Sequence, residues 1–244
     1  MIERNNPWWI VLQGLGIVAS IVVAFAIDAW WDKRQDEETA SVLLQALSRD
    51  VSQLTERLEF EKQFNDGIYA ALVTLLEAST TSNQLSARDV DVLIGKVIWY
   101  NTSVDWVSSA LNALVADGLI ELIDDPELRL AFMDLHIGLA NVRAYYTTDE
   151  KFHHETLMPF LIEHAYMLEV TQVLQHPSIV NFDYGYPKLE IVETRSNKHL
   201  LESHQFQNLL MGKVDRYLDL KNFAFPRIEL ELKRTAALLD DMEI

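Results

Sequence analysis

The sequence predicts an all-α protein in which an N-terminal transmembrane helix continues into a helical bundle with a long stalk helix. Three observations carry this prediction. An apolar run of membrane-spanning length lies near the N-terminus, at residues 10–29. The sequence has only 8 glycines and 6 prolines, and 49% of its residues are hydrophobic. Together these values favour helices over a turn-rich β fold. Further along the chain, apolar residues recur at steps of three and four, the spacing of packed helices.

Residues 10–29, the anchor segment, contain one ionisable side chain, Asp28, near their end. At a helical rise of ~1.5 Å per residue the segment covers roughly 30 Å, the thickness of the hydrocarbon core of a bilayer. Tryptophan favours the headgroup level, where its ring is buried and its N–H stays hydrated. Pairs of tryptophans flank the segment and are assigned to the membrane interface: Trp8, Trp9, Trp30 and Trp31.

A cleaved signal peptide is the alternative interpretation of this run, because the Ala-Phe-Ala tripeptide at 24–26 matches the small-x-small pattern of a processing site. Two observations oppose it. The apolar run continues past that tripeptide to Trp31, and the preceding tail carries a single arginine, Arg4, beside Glu3. We therefore expect an uncleaved anchor that comprises residues 1–31.

Small and polar residues share one face of the anchor segment. They recur every three or four residues and form what we call the small-residue stripe: Gln13, Gly16, Ser20 and Ala24. Stripes of this kind let two membrane helices approach closely, and a glutamine in lipid favours a polar partner. The alternative is that glycine and alanine are simply common in membrane helices. The stripe predicts helix association within the bilayer.

A charged segment follows the anchor and leads into the stalk, which we place at residues 32–78, with an α-helical domain at 79–244. Apolar residues at steps of 3, 4, 3 and 4 mark one side of the stalk and form the leucine seam: Leu44, Leu47, Val51, Leu54 and Leu58. The intervening residues are polar. The first point at which this helix is expected to break is the Asn-Asp-Gly tripeptide at 65–67.

Helix boundaries in the domain follow from capping signals. Ser86 with Asp89 predicts a helix start, as does the segment 103–106, and Gly118 is a suitable terminating glycine. Asp125 followed by Pro126 predicts a further start.

Beyond that start, a kink is expected at Pro159, and residues 176–188 are expected to form a loop or short strands that serve either binding or connection. The final helix follows Pro226 and carries a second seam with steps of 4, 3, 4 and 3: Ile228, Leu232, Thr235, Leu239 and Met242. The simplest use of two seams is that the last helix packs against the stalk.

Composition excludes several function classes. A formal charge of −17 repels phosphate backbones, so nucleic acid is not expected as a partner. The absence of cysteine excludes disulfides, thiolate metal sites and a cysteine nucleophile, but it does not distinguish between the two sides of a bacterial inner membrane.

Three segments resemble an uncharacterised group of bacterial single-pass membrane proteins. They are AFAIDAWWDKRQDEETASVLLQALSRDVSQL, VSSALNALVADGLIELIDDPELRLAFMDLH and HQFQNLLMGKVDRYL. The resemblance implies an anchor followed by an α-helical domain in the bacterial inner membrane, and it transfers no catalytic residue. Members of that group often carry a long basic N-terminal tail, which is missing here.

Candidate catalytic and metal-binding patterns are sparse. Glu150 and His153 have the spacing of a carboxylate-bridged di-iron site, but a second Glu-x-x-His motif and further glutamates would be required. Phosphate-binding loops, H-E-x-x-H and G-x-S-x-G do not occur in the sequence. Aromatic residues outside the anchor are interpreted as core residues, with a ligand pocket as the alternative: Trp99, Trp106, Tyr145 and Tyr146. Neither a cofactor nor a metal is expected.

The function predicted from the sequence is that of a membrane-anchored helical interaction or scaffold protein, an oligomeric accessory subunit without catalysis. The alternative is a ligand-sensing domain that acts through a partner, and a metal enzyme ranks behind both. Expected partners are the lipid bilayer and a second copy or a membrane-protein complex. Lys33 and Arg34 against Arg4 favour a cytoplasmic domain, whereas the resemblance favours a periplasmic one, which we prefer.

Self-association is expected through the small-residue stripe and the leucine seam together, because linking two weak contacts raises the effective concentration for the second. The competing expectation is that the C-terminal seam covers the leucine seam within one chain.

Overall fold

A computed structural model describes residues 7–81, 85–99, 106–173 and 195–242, and these residues form helices and short connecting turns without a β-strand. The all-α prediction is confirmed. The α-helices are α1 (Pro7–Thr80), α2 (Ala87–Trp99), α3 (Ser109–Ala116), α4 (Pro126–Phe152), α5 (Met158–His164), α6 (Met167–Val173), α7 (His204–Asp219) and α8 (Phe225–Asp240). Short 3₁₀-helices span Leu119–Leu122 and Asn197–Glu202, and π-helical turns span His153–Leu157 and Leu220–Ala224. The expected loop at 176–188 lies outside the described residues.

Helix α1 is one continuous helix of 74 residues, so the break expected at 65–67 is wrong. The Asn65 amide does not terminate the helix, because it donates 2.8 Å to the Glu61 carbonyl oxygen one turn earlier. Gly67 is not in the left-handed region; among the described glycines only Gly118 has a positive φ, of 69°. The Asn-Asp-Gly tripeptide therefore does not interrupt α1, because tertiary packing stabilises the helix against the low helix propensity of these residues.

The half of the bundle next to the anchor is organised around an apolar cluster that we call the proximal core. It joins the leucine seam of α1 to α3, α4 and α8. Its largest fully buried members are Trp106 and Phe132. The Asp50 carboxylate of α1 accepts hydrogen bonds from the Ser108 hydroxyl and, at 3.4 Å, from the Ala110 N–H, which fixes the start of α3 against α1.

A second apolar cluster, the distal core, lies farther along α1. It joins residues 68–78 of α1 to α2, α5, α6 and α7, with Phe206 and Leu72 fully buried at its centre. Helix α4 begins in the proximal core and leads through α5 into the distal core, so it runs in the direction of α1. Helices α7 and α8 return from the distal to the proximal core. The expected packing of the last helix against the stalk is therefore confirmed.

Two prolines explain the π-helical turns. Pro159 and Pro226 each follow such a turn by two residues. Proline lacks an N–H and its ring collides with the carbonyl four residues earlier, so the preceding turn widens. The N–H groups of Met158 and Phe225 accordingly donate to carbonyls five residues back. The distortion expected at Pro159 thus lies in the turn before it.

Local signals set the other boundaries. Ser86 and Asp89 form the reciprocal capping pair that their spacing predicts, and Asp125 accepts from the N–H of Glu127 at 2.7 Å to cap α4. Gly118, in the left-handed conformation, follows α3. Of the start expected at 103–106, residues 103–105 lie outside the described residues. Trp106 is not helical, and α3 begins at Ser109 with Ser108 as its cap, whose hydroxyl accepts from the Leu111 N–H at 2.9 Å.

Candidate functional site

The first part of α1 exposes apolar side chains around its whole circumference. An 18-residue window of this helix has a mean hydropathy of 2.0, and none of that window is buried. Among the described helices this one is long and apolar enough to cross a bilayer. Trp8, Trp30 and Trp31 are exposed, and the side chain of Trp9 lies outside the described set.

The small-residue stripe is exposed along its length. A Cβ atom added at Gly16 would meet nothing within 4 Å, so the described part of the chain does not pack against this position. The Ser20 hydroxyl donates to the Gly16 carbonyl at 2.8 Å and is therefore satisfied within its own helix. These contacts leave a shallow, uncharged face on α1.

The leucine seam, in contrast to the small-residue stripe, is buried. Its five residues are between 0% and 7% exposed and belong to the proximal core. The final helix contributes Ile228, Leu232 and Leu239 to the same cluster. The seam therefore packs within one chain, as in the competing expectation, and its assignment to contact with a second copy is corrected. Of the C-terminal seam, Met242 alone is exposed, at 40%.

Polar side chains separate the two cores. We call this group the polar layer; its members are 1–9% exposed, and it consists of Glu61, Asn65, Tyr146, Asp149, His153 and Lys213. The layer lies where α1, α4 and α7 pass one another at the middle of the bundle. A buried charge is costly unless it is paired and hydrogen-bonded, so the contacts within the layer decide whether the fold tolerates it.

On the α1 side of the layer, three side chains form a closed hydrogen-bonded set. The Tyr146 hydroxyl donates to the Glu61 carboxylate at 2.9 Å, and the Asn65 amide donates to the Tyr146 oxygen at 3.2 Å. Burial and the adjacent carboxylate raise the pKa of Tyr146 above its ordinary value. The phenol therefore stays protonated and acts as the donor that keeps Glu61 satisfied.

On the α7 side, the Lys213 ammonium and the Asp149 carboxylate form a buried ion pair. The second carboxylate oxygen of Asp149, Oδ1, has no hydrogen-bond partner among the described residues. An ion pair in this setting recovers little net free energy, because both charges lose their hydration. Removing one partner is costly, however, since the remaining charge stays buried.

His153 lies next to this ion pair, and its Nδ1 atom has no hydrogen-bond partner among the described residues. Burial lowers the pKa of His153 to about 4, and the positive charge of Lys213 contributes in the same direction. The imidazole is therefore neutral at neutral pH. It is 5% exposed, whereas the following residue, His154, is exposed and approaches Glu150 at 4.0 Å.

The di-iron pattern is not assembled by this geometry, because Glu150 is exposed whereas His153 is buried in the polar layer. Among the residues that the structure describes, no three histidine, aspartate or glutamate side chains converge on a point where an ion would bind. Trp106 and Tyr146 are core residues as expected, with ring centroids 6.3 Å apart. Trp99 has no described side chain.

A smaller polar cluster lies in the distal half. Asn197 is fully buried, donates to the Asp91 carboxylate at 2.7 Å and accepts from the Tyr166 N–H at 2.7 Å. Burial raises the pKa of Asp91, and the neighbouring carboxylate of Glu169 contributes in the same direction. The cluster joins α2 to the start of α6 and to the 3₁₀-helix at Asn197–Glu202.

The sequence contains a signal for the polar layer that lies outside the catalytic and metal-binding motifs. Continuing the leucine seam beyond Leu58 by steps of three and four reaches Glu61 and Asn65, and then the apolar residues Ile68 and Leu72. The same continuation along α4 passes from Tyr146 to buried Asp149. A polar residue on an otherwise apolar seam is the pattern that would have identified the layer.

Comparisons with protein-family models, with curated proteins and with solved structures find no match for this chain.

Proposed function

We propose that this protein is a membrane-anchored helical interaction protein, an accessory or scaffold subunit that acts by binding other proteins and uses no cofactor. One observation carries the proposal. Helix α1 joins an apolar segment that is exposed on all sides to the core of a bundle, and it does so without a break. An apolar surface of that length is stable in lipid and costly in water, because each exposed apolar Å² costs about 25 cal/mol.

Membrane attachment is tested by fractionation. The full-length protein is expected to remain with the membranes after alkaline carbonate washing, and deletion of residues 1–31 is expected to release a folded domain. The matched control replaces Leu15 and Val22 by alanine, which shortens exposed side chains but keeps the segment apolar and should leave the protein in the membrane. Full-length protein in the wash would contradict the proposal.

We place the protein in a bacterial inner membrane with the bundle in the periplasm. The support is the resemblance to proteins with basic N-terminal tails, since basic segments stay on the cytoplasmic side. A C-terminal alkaline phosphatase fusion is expected to be active and a green fluorescent protein fusion dark. The opposite pair of results would put the bundle in the cytoplasm and leave the anchor itself unaffected.

Self-association through the small-residue stripe is part of the proposal. Its support is the exposed, open surface at Gly16, where an added Cβ atom would meet no described atom within 4 Å. Replacing Gly16 and Ser20 by leucine is expected to weaken a crosslinked dimer in the membrane, because the added side chains separate the two helices. Replacing Val18 and Val22 by leucine is the control. If both pairs of substitutions leave the dimer unchanged, the stripe is not a contact.

A ligand-sensing role is the second candidate, and a groove in the distal half supports it. The groove has a volume of about 470 Å³ and lies between the end of α1 and α7. Leu76, Met211 and Val214 provide apolar lining, while Gln207 and Asn208 provide hydrogen-bonding groups. The groove is open to solvent on one side, so a small molecule bound there would be contacted over part of its surface. Thermal-shift screening with a metabolite library tests it: a ligand whose stabilisation Met211→Glu abolishes would favour sensing over scaffolding.

A further inference from the structure

Helix α4 has a second apolar stripe that the described part of the chain does not cover. The inward face of α4 is buried, whereas its outward face carries exposed residues at steps of 3, 4, 3 and 4. We call this the outer stripe, and it consists of Leu130, Met133, Ile137, Ala140 and Ala144. Leu130 is 56% exposed, and Met133 and Ile137 are each 47% exposed. A heptad stripe on a helix surface is the pattern by which two helices pack along their length.

We infer that the outer stripe pairs with the same stripe of a second copy, so that two α4 helices form a short parallel coiled coil. This inference depends on the proposed membrane anchorage. Because α4 runs in the direction of α1, two copies anchored in one bilayer present their α4 helices in parallel. Identical residues then face each other across a two-fold axis.

Charge in the flanking positions supports a second copy as the occupant. In a parallel coiled coil, the residue just before the first position of a heptad, position g, faces the residue five positions later on the partner helix, position e. This rule pairs Arg129 of one copy with Asp134 of the other, which are opposite charges. Within the chain both side chains are partly exposed, and their pairs with Glu121 at 3.7 Å and Arg234 at 3.2 Å are surface contacts of little net stability.

The local charge of α4 also weakens the main objection to a dimer. The whole chain carries −17, which opposes the approach of two copies. Residues 129–144, by contrast, contain two arginines and one aspartate, a local charge of +1 with His136 neutral. The outer stripe is therefore less acidic than the chain as a whole, so the general repulsion is weaker there.

The size of the stripe explains why the anchor is needed. Two heptads of one helix bury less than the ~1,200 Å² at which protein interfaces become stable on their own. Attachment to the same bilayer supplies orientation and a high effective concentration, and the span supplies a second contact. The inference therefore predicts pairing in membranes and weak pairing of the isolated bundle.

Disulfide crosslinking tests this pairing directly, because the chain has no cysteine and each variant carries one thiol. The full-length variants Met133→Cys and Ile137→Cys are oxidised in native membranes. A disulfide can form between the two copies, because facing residues of a parallel pair lie within the Cα separation that a disulfide requires. Crosslinked dimer is expected about tenfold above that of Asp215→Cys, an exposed position on α7. Dimer at the control level would overturn the inference.

A second pair of variants tests direction and charge. Differently tagged Leu130→Cys and Ala144→Cys proteins crosslink to each other only in an antiparallel pair, so a strong mixed dimer would contradict the parallel arrangement. Arg129→Glu is expected to reduce the Ile137→Cys crosslink several-fold, and the added Asp134→Arg is expected to restore it. Crosslinking of Ile137→Cys to a different protein, without dimer, would assign the stripe to another partner and overturn the inference.

Failure of the α4 pairing can be distinguished from failure of the proposed membrane anchorage. If the carbonate wash retains the protein but Met133→Cys stays monomeric, the anchor stands and the outer stripe is not the dimer contact. If the protein is washed out, the anchor proposal fails before crosslinking is measured.

Discussion

Helix α1 contains two apolar stretches, residues 12–31 and residues 44–58, that differ in how their side chains are placed around the helix. The first stretch is apolar on every side and is exposed throughout. The second is apolar on one side only, and that side is buried by α3, α4 and α8. A one-sided stripe is covered by helices of the same chain, whereas an all-round apolar surface needs a surrounding apolar medium.

Helix α4 shows a third case that follows from the same comparison. It carries one buried stripe and one exposed stripe, with Leu135 on the inner side and Ile137 on the outer. The inner stripe is satisfied within the chain, as in the second stretch of α1. The outer stripe is narrower than the anchor surface and bordered by charges, which is typical of a protein contact rather than a lipid contact.

The largest expected effect is at the polar layer, where the buried stretch of α1 continues between the two cores. Lys213→Met leaves the Asp149 carboxylate buried without its cation, and we expect the free energy of unfolding to fall by about 3–5 kcal/mol. Urea unfolding of the full-length protein in mild detergent, followed by circular dichroism, measures it. The double variant Lys213→Met with Asp149→Leu is expected to recover most of the loss. If the single and the double variant lost the same free energy of unfolding, the loss would come from packing and not from the unpaired charge.

The next largest effect is expected when leucine is replaced by alanine in each of the two stretches of α1. Leu58→Ala removes a fully buried side chain from the proximal core and is expected to cost about 3 kcal/mol, the transfer free energy plus that of the cavity. Leu15→Ala, at a position 62% exposed, is the control and is expected to change the unfolding of the bundle by less than about 0.5 kcal/mol. A large effect at Leu15 would mean that the anchor segment packs against the bundle.

Much of the fold could be predicted because its determinants are local or periodic. The anchor segment follows from hydropathy, the cap at Asp125 from residue type, and the two contact surfaces from seams with steps of three and four. The continuous passage of α1 through Asn65 and Gly67 could not be predicted from local propensity. There, α4 and α7 supply partners for Asn65 and Asp66 that are distant in sequence.

The role of the leucine seam was open for a different reason. A heptad stripe has the same spacing whether its partner is another part of the chain or a second chain. The sequence therefore predicted the contact surface correctly but left two partners, and only the position of α8 selects between them. Lys213 and Asp149 were missed because an isolated lysine and aspartate 64 residues apart carry no local signal.

The effect expected from His153 is confined to acidic pH, because its pKa of about 4 lies below the ordinary value of 6.5. Between pH 6.5 and 4 the unfolded chain binds a proton at this imidazole that the folded chain does not bind. This histidine therefore lowers the free energy of unfolding as the pH falls through that range, by at most about 1.4 kcal/mol per pH unit. His153→Gln is expected to remove this part of the slope, whereas His154→Gln, its exposed neighbour, keeps it. Equal slopes for wild type and His153→Gln would contradict the prediction.

The smallest expected effect tests the continuity of α1 between the leucine seam and the distal core. A Cβ atom at Gly67 would meet nothing within 4 Å, and this glycine does not have a positive φ. Gly67→Ala is therefore expected to stabilise the protein by about 0.5–1 kcal/mol, because alanine favours the helix and loses less backbone entropy on folding. Gly118→Ala is the matched control and is expected to destabilise it, since its φ of 69° strains any residue with a side chain. If Gly67→Ala instead destabilised the bundle, α1 would bend at this point, and the leucine seam and the distal part of α1, residues 68–78, would belong to two helices.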